Sequence, residues 1–164
     1  MHRWYKALMI SLIVLGSIFI RESYTYGLEY YYYLNNKTEK KEAVINLNDE
    51  EIMLLSKLVA GEARGESYEG QVAVAAVVIN RVKDSRFPNT LEGVIYQKNA
   101  FSVVKNGRIN AQPTSSTYRA AQEALYGNDP TNNAIYFWNP DISTCSWINT
   151  LNPHLRIGNH VFAK

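Results

Sequence analysis

Residues Leu54 to Val82 have the sequence LLSKLVAGEARGESYEGQVAVAAVVINRV. Apolar side chains recur at helical spacing before Gly61, and a longer apolar run follows Ser67. The first part predicts a helix that stops at Gly61, because glycine suits the left-handed position after a helix. The second part leaves no polar face, so we predict a buried central helix that starts at the N-cap Ser67 and runs to about Val82.

The turn between these helices, GEARGE at residues 61–66, places carboxylates beside apolar walls. Apolar surroundings raise the pKa of a carboxyl group, and an acid that stays protonated near neutral pH can protonate a leaving group. Glu62 follows the apolar helix directly and is our first candidate for such an acid. Glu66 is the alternative, although Glu66 and Glu69 also suit the start of a helix, where the dipole favours negative charge.

The composition predicts one folded domain. The chain has 164 residues, of which 46% are hydrophobic and 20% are charged, which is typical of a protein with a real core. The net charge of +2, without a Lys/Arg cluster among aromatic residues, argues against a nucleic-acid partner. Cys145 is the single cysteine, so an intramolecular disulfide and a Cys-rich metal site are excluded.

Residues 1–22 have the features of a signal peptide or a membrane anchor. Basic residues precede the uncharged run Ala7–Ile20, which at about 1.5 Å per residue is shorter than a bilayer core of about 30 Å. That length suits a cleaved signal peptide, whereas Trp4 and Tyr5 suit the interface beside a retained anchor. Both alternatives place the rest of the chain outside the cytoplasm, because the positive charge precedes the apolar run.

Residues 23–48 are predicted to be a Tyr-rich and charged linker, and residues 49–164 the folded domain. Asn48 and Glu51 match a capping box, which marks the start of the first helix. In chain order, we further predict a short helix at Leu91–Tyr96, an extended segment at Ala100–Val104, a turn at Asn106–Gly107, a helix from a cap at Ser115 or Ser116 to Tyr126, and strands at Ala134–Trp138 and Arg156–Phe162.

Two other kinds of catalytic site have weaker support. A zinc hydrolase needs about three protein ligands at an open site, but the predicted domain has only His154 and His160 and no HExxH-like spacing. Cys145 and His160 could act as a thiol nucleophile and its base. However, nothing beside Cys145 indicates a lowered thiol pKa, and a lone cysteine is more often a packing residue. We therefore expect neither a metal nor a cofactor.

The domain contains, in this order, GEARGESYEGQVAVAAVVINRV, FPNTLEGVI, AFSVVKNG, AIYFWNPD and RIGNHVF. This series closely resembles the catalytic domain of spore cortex-lytic enzymes and related cell wall hydrolases of the SleB/CwlJ type. The resemblance extends from Leu54 to Phe162 and leaves the Tyr-rich leader uncovered. It implies an α+β fold, mostly α, like that of lysozymes and lytic transglycosylases, with a small β element.

The resemblance also implies cleavage of peptidoglycan between N-acetylmuramic acid and N-acetylglucosamine. The GEARGE motif of the family falls on residues 61–66, so Glu62 is the expected catalytic acid. One acid suffices for a lytic transglycosylase, which forms a 1,6-anhydro product without water. The alternatives are an N-acetylmuramoyl-L-alanine amidase, a muramidase that uses water, and, outside enzymes, a wall-binding module with an inactive site.

A groove for a long glycan needs polar and aromatic contacts. The candidates for these contacts are Phe101, Ser102, Tyr136, Phe137, Asn139 and His160. Each of them is equally suited to the scaffold, and the late aromatic residues from Tyr136 to Trp147 usually belong to a core. The expected partners are peptidoglycan glycan strands and, through the N-terminal segment, the outer face of the cytoplasmic membrane or the spore envelope. Cortex and vegetative wall both remain open as substrates.

Overall fold

The computed structural model describes residues 42–164. The signal or anchor predicted for residues 1–22, and the predicted linker up to residue 41, lie outside the described residues. Within residues 42–164, no helix is both long enough and apolar enough to cross a membrane.

Helix α1 spans Asp49–Glu62 and begins at the predicted capping box. The Glu51 amide donates to Asn48 Oδ1 at 3.0 Å, and the Asn48 amide donates to Glu51 Oε2 at 2.9 Å. Two of the backbone donors at the helix start are satisfied in this way. The buried face of α1 consists of Ile52, Leu55, Ser56, Leu58 and Val59.

The prediction that α1 stops at Gly61 is wrong. The helix includes Gly61 and Glu62, and the positive φ of the following turn, +84°, is at Gly65. A Cβ added to Gly61 would lie 2.6 Å from Cγ1 of Val103, so this glycine is explained by close packing and not by a chain reversal. Glu62 therefore projects from the last turn of a helix.

Helix α2 spans Tyr68–Lys83 and begins at the predicted N-cap. Ser67 Oγ accepts a hydrogen bond from the Gly70 amide at 3.2 Å. All residues from Val72 to Ile79 are buried, at 2% exposure or less. This confirms the prediction of a central buried helix.

Helix α3 spans Leu91–Ile95, and strands β1 (Val104–Lys105) and β2 (Arg108–Ile109) form a short hairpin. Asn106 and Gly107 make the predicted turn with φ of +52° and +69°, as a two-residue hairpin requires. The extended segment predicted for Ala100–Val104 is wrong except for its last residue. The Val104 amide bonds the Phe101 carbonyl, so this segment folds into a turn.

Helix α4 spans Ser115–Leu125, and its predicted cap at Ser115 or Ser116 is wrong by one or two residues. Thr114 is the N-cap: its Oγ1 accepts from the Thr117 amide at 3.1 Å, while Thr117 Oγ1 accepts from the Thr114 amide at 2.9 Å. This threonine pair satisfies the start of α4 as Asn48 and Glu51 satisfy that of α1.

A three-stranded antiparallel sheet closes the domain. Its strands are β3 (Tyr136–Trp138), β4 (Leu155–Ile157) and β5 (His160–Ala163), in the spatial order β3–β5–β4. The single strand predicted for residues 156–162 is wrong. Gly158 has a φ of +58° and reverses the chain, so that Ile157 pairs with His160 across a tight turn.

Helix α2 is the centre of the packing. It contacts α1, α3 and α4 as well as strands β3 and β4. Ala73 and Val77 of α2 form a cluster with Phe162 of the sheet, separate from the larger core among the helices. The α+β fold, mostly α with a small β element, is confirmed. This arrangement brings the turn between β4 and β5 to the start of α2, where the GEARGE segment ends.

Candidate active site

The carboxyl group of Glu62 is held by the turn that precedes β1. Its Oε1 accepts hydrogen bonds from the Val103 amide at 3.0 Å and from the Ser102 hydroxyl at 3.2 Å. Within residues 42–164, Oε2 has no hydrogen-bond partner. The side chain is half-buried and Ser102 is exposed. One oxygen is therefore fixed, and the other can exchange a proton with a ligand.

Glu66 has a different environment. Its side chain is only 6% exposed, and both oxygens accept from Asn159: Oε2 from the backbone amide at 3.2 Å and Oε1 from the side-chain Nδ2 at 2.9 Å. A Cβ at Gly158 would collide with Oε2. Glu66 thus fastens the segment before α2 to the β4–β5 turn, and each of its oxygens accepts a hydrogen bond within the protein.

His160 lies beside this buried carboxylate. Its Nδ1 is 3.9 Å from Glu66 Oε1, and its ring meets Phe137 edge-on with 5.2 Å between centroids. Burial lowers the pKa of His160, although the charges of Glu66 and Glu62 oppose this effect, so the ring is neutral at neutral pH. Among the described side chains, Nδ1 of His160 is the one buried nitrogen or oxygen without a hydrogen-bond partner.

A buried cation, Arg81, packs among the aromatic rings near the site. Its Cζ is 5.0 Å from the ring centre of Phe101, 5.2 Å from that of Phe87 and 5.8 Å from that of Tyr136. Its Nε donates to the Ile135 carbonyl at 2.7 Å. Burial lowers the pKa of Arg81 to about 10, so the guanidinium stays charged at neutral pH. It holds three aromatic rings in place through cation–π contacts.

Phe101, Tyr136, Phe137 and Trp147 form an aromatic wall that is only partly buried. Phe101 and Phe137 lie 6.3 Å apart, and Tyr136 meets Trp147 edge-on at 5.4 Å. Trp147 is 54% exposed, whereas Trp138 is buried in the sheet. The usual assignment of such residues to a core is therefore right for Trp138 and wrong for Trp147.

The structure brings most of the predicted contact residues together. Ser102 bonds Glu62, the rings of Phe101, Phe137 and His160 follow one another, and Tyr136 covers Arg81. Asn139 has a local contact instead: its Oδ1 accepts from the Asp141 amide at 2.9 Å.

An open cavity of about 610 Å³ adjoins Ser102. It is lined by Tyr96, Asn99, Phe101, Ser102, Val104 and Asn106, among others. Aromatic and amide side chains of this kind suit a ligand with hydroxyl groups and apolar faces. The cavity lies along the β1–β2 hairpin, and its lining includes Ser102, whose hydroxyl bonds Glu62.

Three groups of the site were not singled out from the sequence: Arg81, Asn159 and the Val103 amide. Arg81 left a signal, a charge just after the apolar run Val72–Ile79, and Asn159 follows a glycine in a pair that suits a hairpin turn. Cys145 is free and exposed, and no contact joins it to His160 within the described part of the chain. In the same residues, no group of three or more His, Cys, Asp or Glu side chains is arranged to hold a metal ion.

Comparison with known proteins identifies the family. The sequence model of the Cell Wall Hydrolase family matches residues 65–163, and the chain belongs to this family. The matched range contains Glu66 and His160, while Glu62 lies just before it. The resemblance stated from the sequence motifs is thereby confirmed.

Individual relatives are spore proteins of bacilli. The chain is 47% identical to a spore cortex-lytic enzyme of Bacillus cereus over 114 residues, which are 70% of this chain and 44% of that enzyme. It therefore spans less than half the length of this curated relative. The crystal structure of the catalytic domain of Bacillus cereus SleB matches with 43% identity and a TM-score of 0.68, over 77% of this chain and 98% of that domain. The catalytic domain of the germination-specific lytic transglycosylase SleB from Bacillus anthracis matches with 44% identity and a TM-score of 0.68, over 73% and 98%.

Proposed function

We propose that this protein cleaves peptidoglycan glycan strands as a lytic transglycosylase, with Glu62 as its acid. The observation that carries the proposal is the carboxyl group of Glu62, which has one oxygen fixed and the other unpartnered among the described residues, and which bonds the Ser102 hydroxyl at the lining of a cavity. The solved domain from Bacillus anthracis, which is named a lytic transglycosylase, supports the same activity here.

Glu62 acts twice in the reaction, first as an acid and then as a base. Glu62 first protonates the oxygen between N-acetylmuramic acid and N-acetylglucosamine, and the bond from that oxygen to C1 of the muramyl ring breaks. The resulting carboxylate then takes the proton of the muramyl C6 hydroxyl as its oxygen closes onto C1. The product is a 1,6-anhydro sugar, and Glu62 is protonated again. The Val103 amide and the Ser102 hydroxyl stabilise the carboxylate between the two transfers.

The surroundings of Glu66 favour this mechanism over hydrolysis. An ordinary glycosidase needs a second carboxylate as nucleophile or as base for water. Glu66 is the nearest candidate in sequence, but it is buried and both of its oxygens accept hydrogen bonds from Asn159. Because Glu66 is buried and each of its oxygens is held by Asn159, we assign it to the scaffold of the site and not to the chemistry of bond cleavage.

The glycan would lie along the aromatic wall and the adjoining cavity. Exposed Trp147 and half-buried Tyr136 offer faces on which the C–H surfaces of sugars can pack. Peptidoglycan lies outside the cytoplasm, so this activity requires an extracytoplasmic location, to which a signal or anchor at residues 1–22 would direct the chain. Membrane attachment through that segment belongs to the same proposal.

Product analysis tests the proposal. The 164-residue chain would be incubated with spore cortex and with vegetative wall, and the soluble products identified by mass spectrometry. Ends with 1,6-anhydro-muramic acid are expected. Reducing muramic ends would instead show a muramidase, and freed peptides an amidase. Binding to sacculi without soluble fragments would show a wall-binding module with an inactive site.

Gly61→Ala tests whether the position of Glu62 matters. Alanine raises the intrinsic helix propensity by about 1 kcal/mol, but its Cβ would lie 2.6 Å from Cγ1 of Val103 and push the Val103 amide away from Glu62. We expect the rate of anhydro-product release to fall about 10- to 100-fold, since small misplacements of catalytic groups have effects of this size.

The double variant Gly61→Ala/Val103→Ala is the matched control, because it removes the two methyl groups that crowd the new Cβ. We expect it to recover a large part of the lost rate at similar thermal stability. A Gly61→Ala enzyme with the rate of the unchanged chain would show that the contact between Val103 and Glu62 is not needed.

A further inference from the structure

The pair formed by Glu66 and His160 is not used in the proposed reaction. The two side chains are far apart in the sequence. Glu66 belongs to the GEARGE segment, and His160 is the first residue of β5. The side chain of His160 is 11% exposed, and that of Glu66 is 6% exposed. Burying a carboxylate and an imidazole together is costly unless each orients or satisfies the other.

The two nitrogens of His160 have different surroundings. Nδ1 is buried and faces Oε1 of Glu66 at 3.9 Å, without another partner. Nε2 makes no hydrogen bond within residues 42–164, and it is not among the fully buried atoms. It is therefore the nitrogen through which the ring is accessible. The adjacent rings of Phe137 and Phe162 pack against the ring of His160 without offering it a hydrogen bond.

The negative charge of Glu66, 3.9 Å from Nδ1, favours one of the two neutral forms of the His160 ring. A neutral imidazole has one N–H donor and one acceptor, and the carboxylate favours the form in which Nδ1 carries the proton. Asn159 fixes both oxygens of Glu66, so the carboxylate cannot turn away. In this form, Nε2 presents a lone pair to the accessible side of the ring.

Resting on the proposed glycan cleavage, we propose that His160 is a catalytic residue whose Nε2 accepts a hydrogen bond from a sugar hydroxyl beside the bond that Glu62 cleaves. Glu66 is the positioning residue that acts through His160. The ring series from Phe101, next to Ser102, through Phe137 to His160 connects this nitrogen with the carboxyl group of Glu62.

This role requires a neutral ring, so it predicts a dependence on pH. The charged groups that act on His160 are Glu66, at the start of α2, and Glu62, at the end of α1, whereas Phe137 and Phe162 are uncharged. Burial lowers the pKa of His160 below its usual value, and both carboxylates oppose the effect. Protonation at acidic pH would remove the acceptor, so the rate falls on the acid side. If His160 had no such role, its protonation would not lower the rate.

Two variants separate the role of the more accessible nitrogen, Nε2, from that of the buried Nδ1. His160→Asn keeps an amide donor near the position of Nδ1, facing Glu66, but has nothing at the position of Nε2. His160→Gln reaches the position of Nε2 with an amide oxygen that can accept a hydrogen bond. We expect kcat/KM for anhydro-product release to fall about 10-fold or more in His160→Asn, the effect of one lost hydrogen bond, and less in His160→Gln. The loss of rate on the acid side should disappear in both.

A purely structural His160 would give the opposite order. His160→Asn, which keeps the contact with Glu66, would then equal or exceed His160→Gln, and both would keep the acid-side loss. Either result overturns the inference. If the unchanged chain released no anhydro products at all, the proposed function would fail, which is a distinct outcome.

Nitrogen-15 NMR of the unchanged chain provides a test that does not depend on the folding of any variant. The chemical shifts of the neutral His160 ring at pH 8 should show a protonated Nδ1 and an unprotonated Nε2. A protonated Nε2 would overturn the assignment of Nε2 as an acceptor, whatever the activity of the enzyme.

Discussion

Glu62→Gln is expected to reduce the release of 1,6-anhydro products about 10²- to 10⁴-fold, the range that general acid–base catalysis contributes. Glutamine has nearly the size of glutamate, and its Oε1 can still accept from the Val103 amide and the Ser102 hydroxyl. It has no proton to give to the glycosidic oxygen. The variant should therefore fold normally, bind wall material and leave it uncut. Mass spectrometry measures the initial rate of anhydro-product release, and thermal melting checks that the variant is folded.

Glu69→Gln is the matched control for that variant. Glu69 is exposed at the start of α2 and lies in the same carboxylate-rich segment, so the same change of charge occurs nearby. Its activity should stay within about twofold of the unchanged chain, since surface substitutions have small effects. Anhydro products that persist in Glu62→Gln would exclude Glu62 as the acid and return the role to Glu66.

Arg81→Ala is expected to lower the free energy of unfolding by about 3 kcal/mol or more, from lost cation–π contacts of about 0.5–2 kcal/mol each and a charged hydrogen bond of about 1.5–3 kcal/mol. The guanidinium lies within 5.8 Å of three ring centres, and it donates to the Ile135 carbonyl at 2.7 Å. Its removal leaves a cavity and an unpaired carbonyl. Urea unfolding followed by tryptophan fluorescence measures the loss.

Activity should fall together with stability in Arg81→Ala. Phe101, which packs on the guanidinium, directly precedes Ser102, whose hydroxyl bonds Glu62. Arg81→Lys keeps the charge but lacks the planar group that stacks on rings, so it should recover only part of the stability.

Arg119→Ala is the control for the environment of Arg81. Arg119 also lies over a ring, that of Tyr68 at 5.6 Å, but it is exposed to solvent. Its loss should cost only about 0.5–1 kcal/mol, the range for exposed cation–π contacts. If Arg81→Ala lowers the free energy of unfolding no more than Arg119→Ala does, the buried guanidinium does not hold the aromatic wall in place.

Local chemistry was sufficient to predict several elements. The capping box of Asn48 and Glu51, the N-cap Ser67 and the turn at Asn106–Gly107 each depend on groups a few residues apart. The apolar run after Ser67 also predicted the central helix, because a helix without a polar face must be buried. The split of the last strand had a local signal as well, since Gly158 and Asn159 suit a two-residue hairpin turn.

The positions of the two carboxylates of the GEARGE segment were not decided locally. Glu62 is held by Val103, 41 residues away, and Glu66 by Asn159, 93 residues away. The sequence indicated that a carboxyl group near residue 62 could be an acid. The distant partners leave an oxygen of Glu62 open and engage both oxygens of Glu66.

The sequence by itself determined the helical frame, the family and the segment that holds the candidate acid. Sequence motifs and helix caps depend on residues close together in the chain, so they can be recognised from the sequence. Only the tertiary structure decided that Gly61 is needed for close packing, that Arg81 supports the aromatic wall and that His160 meets Glu66. These contacts join residues far apart in the chain, and their energies depend on burial that exists only when α2 and the sheet have packed together.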